Sequence, residues 1–227
     1  MPKAGVAPEV AAIRAEIRRF LDTLDSAARK IGNAKYGAYA FYDYDGEPIY
    51  VGQTEEMLRS RIARHLTNQR TDAVAMNVLD PFEVAEIEVW PVYAEDIKGD
   101  VEKILNSIEY TVFQKVLKES KLGAVLNEKD IPKTRLVKLP RSYRSRIIPE
   151  SLYEIRKHPD TRIARRASTI ANLARVISER NVSKGLRRTL LMQARRLERL
   201  AAKRLGDFSG EFPVEEKGEE TGEEIAE

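Results

Sequence analysis

The chain has 227 residues, of which 42% are hydrophobic, and it contains no cysteine and two histidines. This length suffices for one compact domain with an extension. The absence of cysteine excludes a disulfide framework and a thiolate zinc site, which leaves oxygen ligands for any metal. The sequence lacks an apolar signal region and any run near the roughly 20 apolar residues of a membrane span, so we expect a cytoplasmic protein with no membrane partner.

The net charge of +3 conceals a strong segregation along the chain. Residues 1 to 130 carry 17 Lys/Arg against 22 Asp/Glu, residues 131 to 206 carry 21 against 5, and residues 207 to 227 carry 1 against 9. A basic segment of this kind is typical of a protein that binds a polyanion, and most simply DNA.

The first elements are a helix and a hairpin. Residues 8 to 30 have an amphipathic helical pattern, so we assign residues 1 to 33 to an amino-terminal helix. Residues 36 to 43 and 48 to 53 are rich in aromatic and β-branched residues, and Asp45-Gly46 between them is a strong turn signal. The alternation of strand side chains puts Tyr39 on the same side as Phe41, and Tyr50 on the same side as Gly52, so the two phenols could flank one pocket. A ligand backbone could approach closely at the glycine, which has no side chain.

A helix follows the hairpin, with Thr54 as its expected N-cap. Its apolar stripe consists of Leu58, Ile62 and Leu66. Arg61 and His65 lie one turn apart on this helix and face the same way. Taken alone, each could be an ordinary solvated or core-edge residue, but their four-residue spacing favours a shared role.

Residues 101 to 118 fit another helix, and Glu109 falls inside its apolar face, which comprises Leu105, Val112, Phe113 and Val116. A carboxylate among apolar neighbours is costly unless it is paired or bound to a cation, so its position suggests a ligand for Mg²⁺ or a similar hard ion. The alternative is that Glu109 lies at the edge of the stripe and reaches water.

The basic segment begins with residues 131 to 149, whose prolines and lack of periodicity predict an arm along the nucleic acid. Two helices follow, at roughly 160 to 180 and 183 to 205, and we expect them to pair as a hairpin with arginines outward. The candidate DNA-binding residues are Arg141, Arg144, Arg146, Arg162, Arg165, Arg166, Arg187 and Arg188. Residues 207 to 227 predict an acidic disordered tail.

The ordered set Gly37-Ala38-Tyr39, Tyr50-Val51-Gly52, Arg61 and His65 resembles the signature of the GIY-YIG nuclease family over roughly residues 34 to 127. Two positions depart mildly, with Ala38 and Val51 where the family has isoleucine. The resemblance implies an α+β fold: a small catalytic domain at 34 to 130 with a central antiparallel sheet flanked by helices. The basic extension at 131 to 206, with its helical hairpin, lies beyond that domain.

The resemblance also implies roles for individual residues. Tyr39 would position or deprotonate the attacking water, Tyr50 would orient phosphate or water, and His65 would hydrogen-bond Tyr39 or relay its proton. Glu109 would hold Mg²⁺ or Mn²⁺. Asn127 is the candidate for a family asparagine, although its 18-residue distance from Glu109 is longer than usual.

These expectations together describe a metal-dependent endonuclease that hydrolyses duplex DNA. A small chain with one catalytic domain fits a site-specific restriction endonuclease best. The alternatives are a repair or structure-specific nuclease of the same family and a catalytically silent DNA-binding protein. The sequence leaves open the recognition site, the cut geometry and whether a homodimer forms.

Overall fold

The computed structural model describes residues 7–67, 78–127 and 130–209. It is an α+β protein built on one antiparallel sheet with the strand order β2-β1-β3-β4. The strands are β1 (Tyr36–Tyr42), β2 (Pro48–Thr54), β3 (Glu86–Val92) and β4 (Tyr143–Arg146). The first two form the predicted hairpin, in which Tyr39 pairs with Gly52 and Phe41 with Tyr50.

Six α-helices surround the sheet in the described residues: α1 (Pro8–Leu21), α2 (Leu58–Thr67), α3 (Val101–Glu119), α4 (Glu150–Lys157), α5 (Pro159–Glu179) and α6 (Lys184–Ser209). None of these helices is long and apolar enough to cross a membrane. The helix α6 runs through the first three residues of the predicted acidic tail, and the rest of that tail lies outside the described residues.

Two helix boundaries differ from those predicted. The helix expected over residues 8 to 30 ends at Leu21, because the carboxylate of Asp25 accepts hydrogen bonds from the backbone of Ala27 and Arg29 and so closes a turn that competes with the helix. Thr54 ends β2 instead of capping α2. Its hydroxyl accepts from the backbone N–H of Glu56, and α2 begins at Leu58.

The sheet separates two apolar layers. On one face Tyr39, Phe41 and Tyr50 pack with residues of α1, α2, α5 and α6. On the other face Ala38 and Ala40 pack with residues of α3, which are Ile108, Val112 and Val116. The strict alternation of strand side chains therefore gives the two tyrosines of the predicted signature a common side.

The basic segment is part of this body rather than a free arm. Tyr143–Arg146 is the fourth strand of the sheet, and Ile147 and Ile148 lie in its main core. Upstream, the backbone N–H of Val137 donates to Thr111 on α3, at 3.1 Å. A domain boundary at residue 130 would therefore divide the sheet.

The helices α5 and α6 pack together as predicted, but three of their arginines face inward. The buried side of α5 includes Arg162 and Arg166, and that of α6 includes Arg196. By contrast, the small apolar residues Ala167 of α5 and Ala194 and Ala201 of α6 are exposed. These three arginines face inward because Asp43 and Glu83 supply buried carboxylates for their guanidinium groups.

Candidate active site

The hydroxyl of Tyr39 lies at the centre of the predicted site. Its oxygen accepts a hydrogen bond from Arg61 Nε at 3.1 Å and lies 2.8 Å from His65 Nε2. Tyr39 comes from β1, and Arg61 and His65 from successive turns of α2, so the one-turn spacing brings both to the same phenol. The structure therefore brings together the three residues that the sequence singled out as a group.

The two titratable partners in this cluster are both neutral near pH 7. Burial, then the charges of Arg61 and Arg64, lower the pKa of His65 to about 3. Burial raises the pKa of Tyr39 to about 12, although the charge and hydrogen bond of Arg61 oppose this. A neutral imidazole has one acceptor nitrogen, so His65 Nε2 can accept a hydrogen bond from the Tyr39 hydroxyl when the imidazole proton is on Nδ1.

Tyr50 completes the aromatic side of the site. Its ring stacks near that of Tyr39, with centroids 6.3 Å apart, and lies 5.5 Å from the His65 ring. Tyr39 has no exposed surface, and Tyr50 keeps 8% of its own. The two phenols are thus neighbours on one face of the hairpin, as the strand alternation predicts.

Gly52 serves a different purpose from the one expected. A Cβ atom at this position would lie 2.6 Å from the Tyr39 hydroxyl and 2.7 Å from its ring carbon Cζ. The space above the glycine is therefore filled by the partner tyrosine across the hairpin, not by a ligand. The glycine is required because the phenol of Tyr39 must reach Arg61 and His65 over it.

Gly52→Ala should consequently displace the Tyr39 ring. We expect a loss of activity of at least about tenfold, together with a decrease of about 1 to 3 kcal/mol in the free energy of unfolding, the usual range for overpacking. Turnover and urea unfolding of the same preparations check this. Unchanged turnover would mean that the position of the Tyr39 hydroxyl does not matter to the reaction.

Glu109 lies on α3 and is partly buried next to β2, the strand at one edge of the described sheet. Burial raises the pKa of its carboxyl group to about 7, and a hydrogen bond from the backbone of Gln53 and the charge of Arg61 only partly offset this. The neighbouring groups therefore supply too little positive charge to stabilise the ionised carboxylate. This is the environment that a bound cation would relieve.

The outer edge of β2 organises the residues around Glu109. Along this edge the carbonyl of Ile49 accepts from the backbone of Leu126 at 2.8 Å, and the side-chain amide of Asn127 bonds both the N–H (3.1 Å) and the C=O (2.7 Å) of Val51. Gln53, two residues further, meets Glu109. Asn127 therefore pairs with the strand as a further strand would, and it positions the backbone between Tyr50 and Gly52.

A hard divalent ion could bind at Glu109 only if other ligands came from water and substrate. Among residues 7–67, 78–127 and 130–209 no group of three or more His, Cys, Asp or Glu side chains could hold a metal by itself. Mg²⁺, however, is commonly held by one or two carboxylates together with waters and substrate phosphates. The single electron-rich carboxylate of Glu109 suits that kind of site, in which the substrate supplies other ligands.

Two further residues of the site, Gln53 and Asn106, carry no distinctive sequence pattern. The side-chain amide of Gln53 donates to Asn106 Oδ1 at 2.7 Å, and Asn106 lies one turn before Glu109 on α3. This bond ties β2 to the helix that carries the carboxylate. Neither residue type is distinctive in a strand or a helix, so the only available signal was the three-residue spacing from Glu109.

The predicted DNA-binding arginines fall into different environments. Arg162 and Arg166 are buried, with 1% and 5% exposure, and are paired with carboxylates, so they are unavailable to phosphate. Arg165 is partly exposed and lies over the ring of Phe82. The exposed members are Arg141, Arg144, Arg146, Arg187 and Arg188.

Comparison with known families agrees with this geometry. A family model described as the GIY-YIG catalytic domain matches residues 35–118. The matched range contains Tyr39, Tyr50, Arg61, His65 and Glu109, and ends before Asn127. No curated protein and no solved structure matches the chain.

Proposed function

We propose that the chain, whose residues 35–118 match the GIY-YIG catalytic domain, is a metal-dependent endonuclease of duplex DNA, with site-specific restriction as its role. The observation that carries the proposal is the Tyr39 hydroxyl, held between Arg61 at 3.1 Å and His65 at 2.8 Å. Nucleases of this family are generally dependent on divalent metals.

Arg61 is the group best suited to bind the scissile phosphate. It is partly exposed, and its guanidinium can offer two parallel donors to phosphate oxygens. Glu109 lies close enough for its charge to be felt by both Arg61 and Tyr39. A divalent ion such as Mg²⁺ or Mn²⁺, held by Glu109, would offset the negative charge that develops on the phosphate.

The proton of the attacking water passes to the tyrosine and histidine pair. Because Tyr39 is fully buried, water reaches its hydroxyl only when a covering group moves, and the turn of Arg61 toward a phosphate is such a movement. Entry of water and the turn of Arg61 toward the phosphate relieve the burial and the charge that hold the pKa of His65 low, so Tyr39 then accepts the water proton while giving its own to His65 Nε2. Tyr50 orients the phosphate or the water beside this pair.

Site-specific cleavage of duplex DNA is the function that the whole fold favours. The basic helices α5 and α6 share one core with the catalytic face of the sheet, so a duplex bound to them would be held at a fixed position relative to Tyr39. A repair or structure-specific nuclease is the alternative within the family. A silent DNA-binding protein is disfavoured because Tyr39, Arg61 and His65 keep a connected hydrogen-bond cluster.

The decisive experiment incubates the purified protein with supercoiled plasmid in Mg²⁺, in Mn²⁺ and in EDTA. Discrete fragments that require the metal support site-specific cleavage, whereas a smear contradicts the restriction role. Absence of cleavage in both metals, with duplex binding intact, would favour the silent protein. The sequence of the fragment ends then identifies the recognition site.

Tyr39→Phe should reduce cleavage about 100-fold or more, since proton transfer by a positioned side chain typically contributes factors of 10² to 10⁴. Tyr36→Phe is the matched control, because Tyr36 is on the same strand and packs on the opposite face. Single-turnover cleavage checks both variants. Equal activity of the two would remove Tyr39 from the mechanism.

A further inference from the structure

One side of α6 carries a line of exposed cations. Its members are spaced four, seven, four and four residues apart, which keeps them on one flank of an α-helix. All five are exposed: Lys184, Arg188, Arg195, Arg199 and Lys203. We call these residues the basic flank; at 1.5 Å per residue they extend over about 29 Å. The acidic residues of α6 are Glu198, which lies outside this line, and Asp207, which lies one turn beyond Lys203 and marks its end.

The adjoining side of the same helix is fixed to the catalytic hairpin. Arg196 donates to the carboxylate of Asp43 at 2.6 Å and to the carbonyl of Pro48 at 3.1 Å. Pro48 lies two residues before Tyr50 on β2. A ligand held on the basic flank is therefore held relative to the tyrosines by direct, buried contacts.

The flank leads into a cavity at its carboxyl-terminal end. The cavity has a volume of about 120 Å³ and is lined by charges of both signs: the cations are Lys121, Arg166, Arg196, Arg199 and Lys203, and the carboxylates are Asp43, Asp45 and Glu47. Because Arg166 and Arg196 are already paired with Asp43, the cations at this end that remain for a phosphate are the exposed Arg199 and Lys203.

We propose that the basic flank binds the phosphate backbone of duplex DNA and so sets the position of the scissile phosphate at Tyr39 and Arg61. The inference rests on the proposed function and adds the surface that holds its substrate. Arg188 now pairs with Asp130 at 2.7 Å, but both side chains are solvent-exposed, so exchanging this partner for a phosphate costs little.

The chemistry of the flank favours a duplex over other polyanions. Residues 184 to 207 contain no aromatic side chain, so α6 up to that point offers no platform on which unpaired bases could stack. Adjacent cations four residues apart are about 6 Å apart along the helix, which is close to two phosphate steps of one strand at about 3.4 Å each. Contacts of this type position a duplex without reading its sequence.

The test replaces Arg188, Arg195 and Arg199 together with glutamine, which keeps good helix formers at all three positions. Binding to a fluorescent 30-base-pair duplex is measured in EDTA, where no cleavage occurs, over a series of salt concentrations. We expect affinity to fall by about 100-fold at low salt. The slope of log K against log salt should become shallower by about 2.7, or 0.9 for each phosphate that the variant no longer neutralises.

The matched control replaces Lys98, Lys103 and Lys118 with glutamine, which removes the same charge from other exposed positions. It should change affinity less than about threefold and leave the slope unchanged. Equal effects of the two triple variants would overturn the proposal, since charge alone would then explain binding. Preference of the intact flank for duplex RNA or single-stranded DNA would overturn duplex DNA as its ligand.

Failure of this inference is distinguishable from failure of the proposed function. A wild-type protein that cuts plasmid, together with a flank variant that binds as tightly as wild type, contradicts only the inference. A wild-type protein that neither cuts nor binds duplex DNA contradicts the proposed function itself. Thermal unfolding of both triple variants should match wild type within about 2 °C, because every replaced side chain is exposed.

Discussion

Glu109→Gln should abolish DNA cleavage, with a loss of about 1000-fold or more, while duplex binding is retained. The substitution keeps the size of the side chain and removes the carboxylate that suits a divalent ion. It leaves the basic flank and the Tyr39 cluster unchanged. Single-turnover cleavage in saturating Mg²⁺ and in Mn²⁺, together with binding in EDTA, separates the two effects.

The same variant has a stability signature that is independent of activity. The pKa of Glu109 is raised in the folded protein from 4.5 to about 7, so its neutral form is favoured and wild-type stability is lost as pH rises from about 4.5 through 7. Above pH 7 the metal-free glutamine variant should therefore be more stable than wild type, by up to about 3 kcal/mol at roughly 1.4 kcal/mol per pKa unit. Below pH 4.5 the difference should vanish.

Metal binding should offset this difference in stability, because only wild type has the carboxylate that binds the ion. Mg²⁺ should raise the unfolding temperature of wild type at pH 8 and leave that of Glu109→Gln unchanged. Glu102→Gln is the control, since Glu102 lies on the same helix and is exposed. If Glu109→Gln still cuts DNA, or if Glu102→Gln loses the metal effect instead, Glu109 is not the metal ligand.

The parts of this site that sequence could predict are local. The hairpin follows from its own turn and strand composition, and the meeting of Arg61 with His65 follows from helical spacing. The pairing of Tyr39 and Tyr50 needs only the alternation of strand side chains and a correct turn. Each of these arguments spans fewer than about 30 residues, so tertiary context had little opportunity to change the outcome.

The parts that sequence could not predict depend on distant partners. A helical arginine normally faces water, so nothing local marks Arg162, Arg166 or Arg196 as buried. Their carboxylate partner, Asp43, lies more than 100 residues earlier, directly after β1. The strand β4 alternates arginine with serine and tyrosine at the edge of the sheet, and such a short polar segment has the composition of an arm.

Asn127 illustrates the same point at the site. Its 18-residue distance from Glu109 looks anomalous along the chain, but the two residues meet neighbouring positions on the outer edge of one strand, Val51 and Gln53. The number of residues between Glu109 and Asn127 matters little, because both residues contact the same strand, β2. What matters is that β2 lies at the edge of the described sheet, and this depends on the order of its strands.

The buried arginine cluster leads to the largest expected effect on stability. One oxygen of Asp43 accepts hydrogen bonds from Arg162, Arg166 and Arg196 at 3.3, 2.9 and 2.6 Å. Its other oxygen closes the hairpin turn by accepting from the backbone of Asp45 and Glu47. A single carboxylate thus joins α5 and α6 to the hairpin that carries Tyr39 and Tyr50.

Asp43→Asn should lower the free energy of unfolding by about 3 to 5 kcal/mol, the usual cost of leaving buried charges without their partner. The asparagine keeps the shape and one acceptor oxygen, so the loss reports the charge rather than a cavity. Urea unfolding at pH 7 measures it. Because the network is buried, the loss should persist at about 0.5 M salt, where exposed ion pairs are screened.

Asp45→Asn is the matched control, since Asp45 lies two residues further on and pairs with the same Arg162, but 40% of its side chain is exposed. An exposed pair of this kind contributes less than about 1 kcal/mol, so the control should stay near wild type. If both variants are equally mild, the three guanidinium groups do not depend on Asp43. If Asp43→Asn alone is unstable but its folded fraction cuts DNA at the wild-type rate, the cluster holds the fold together without positioning the catalytic hairpin.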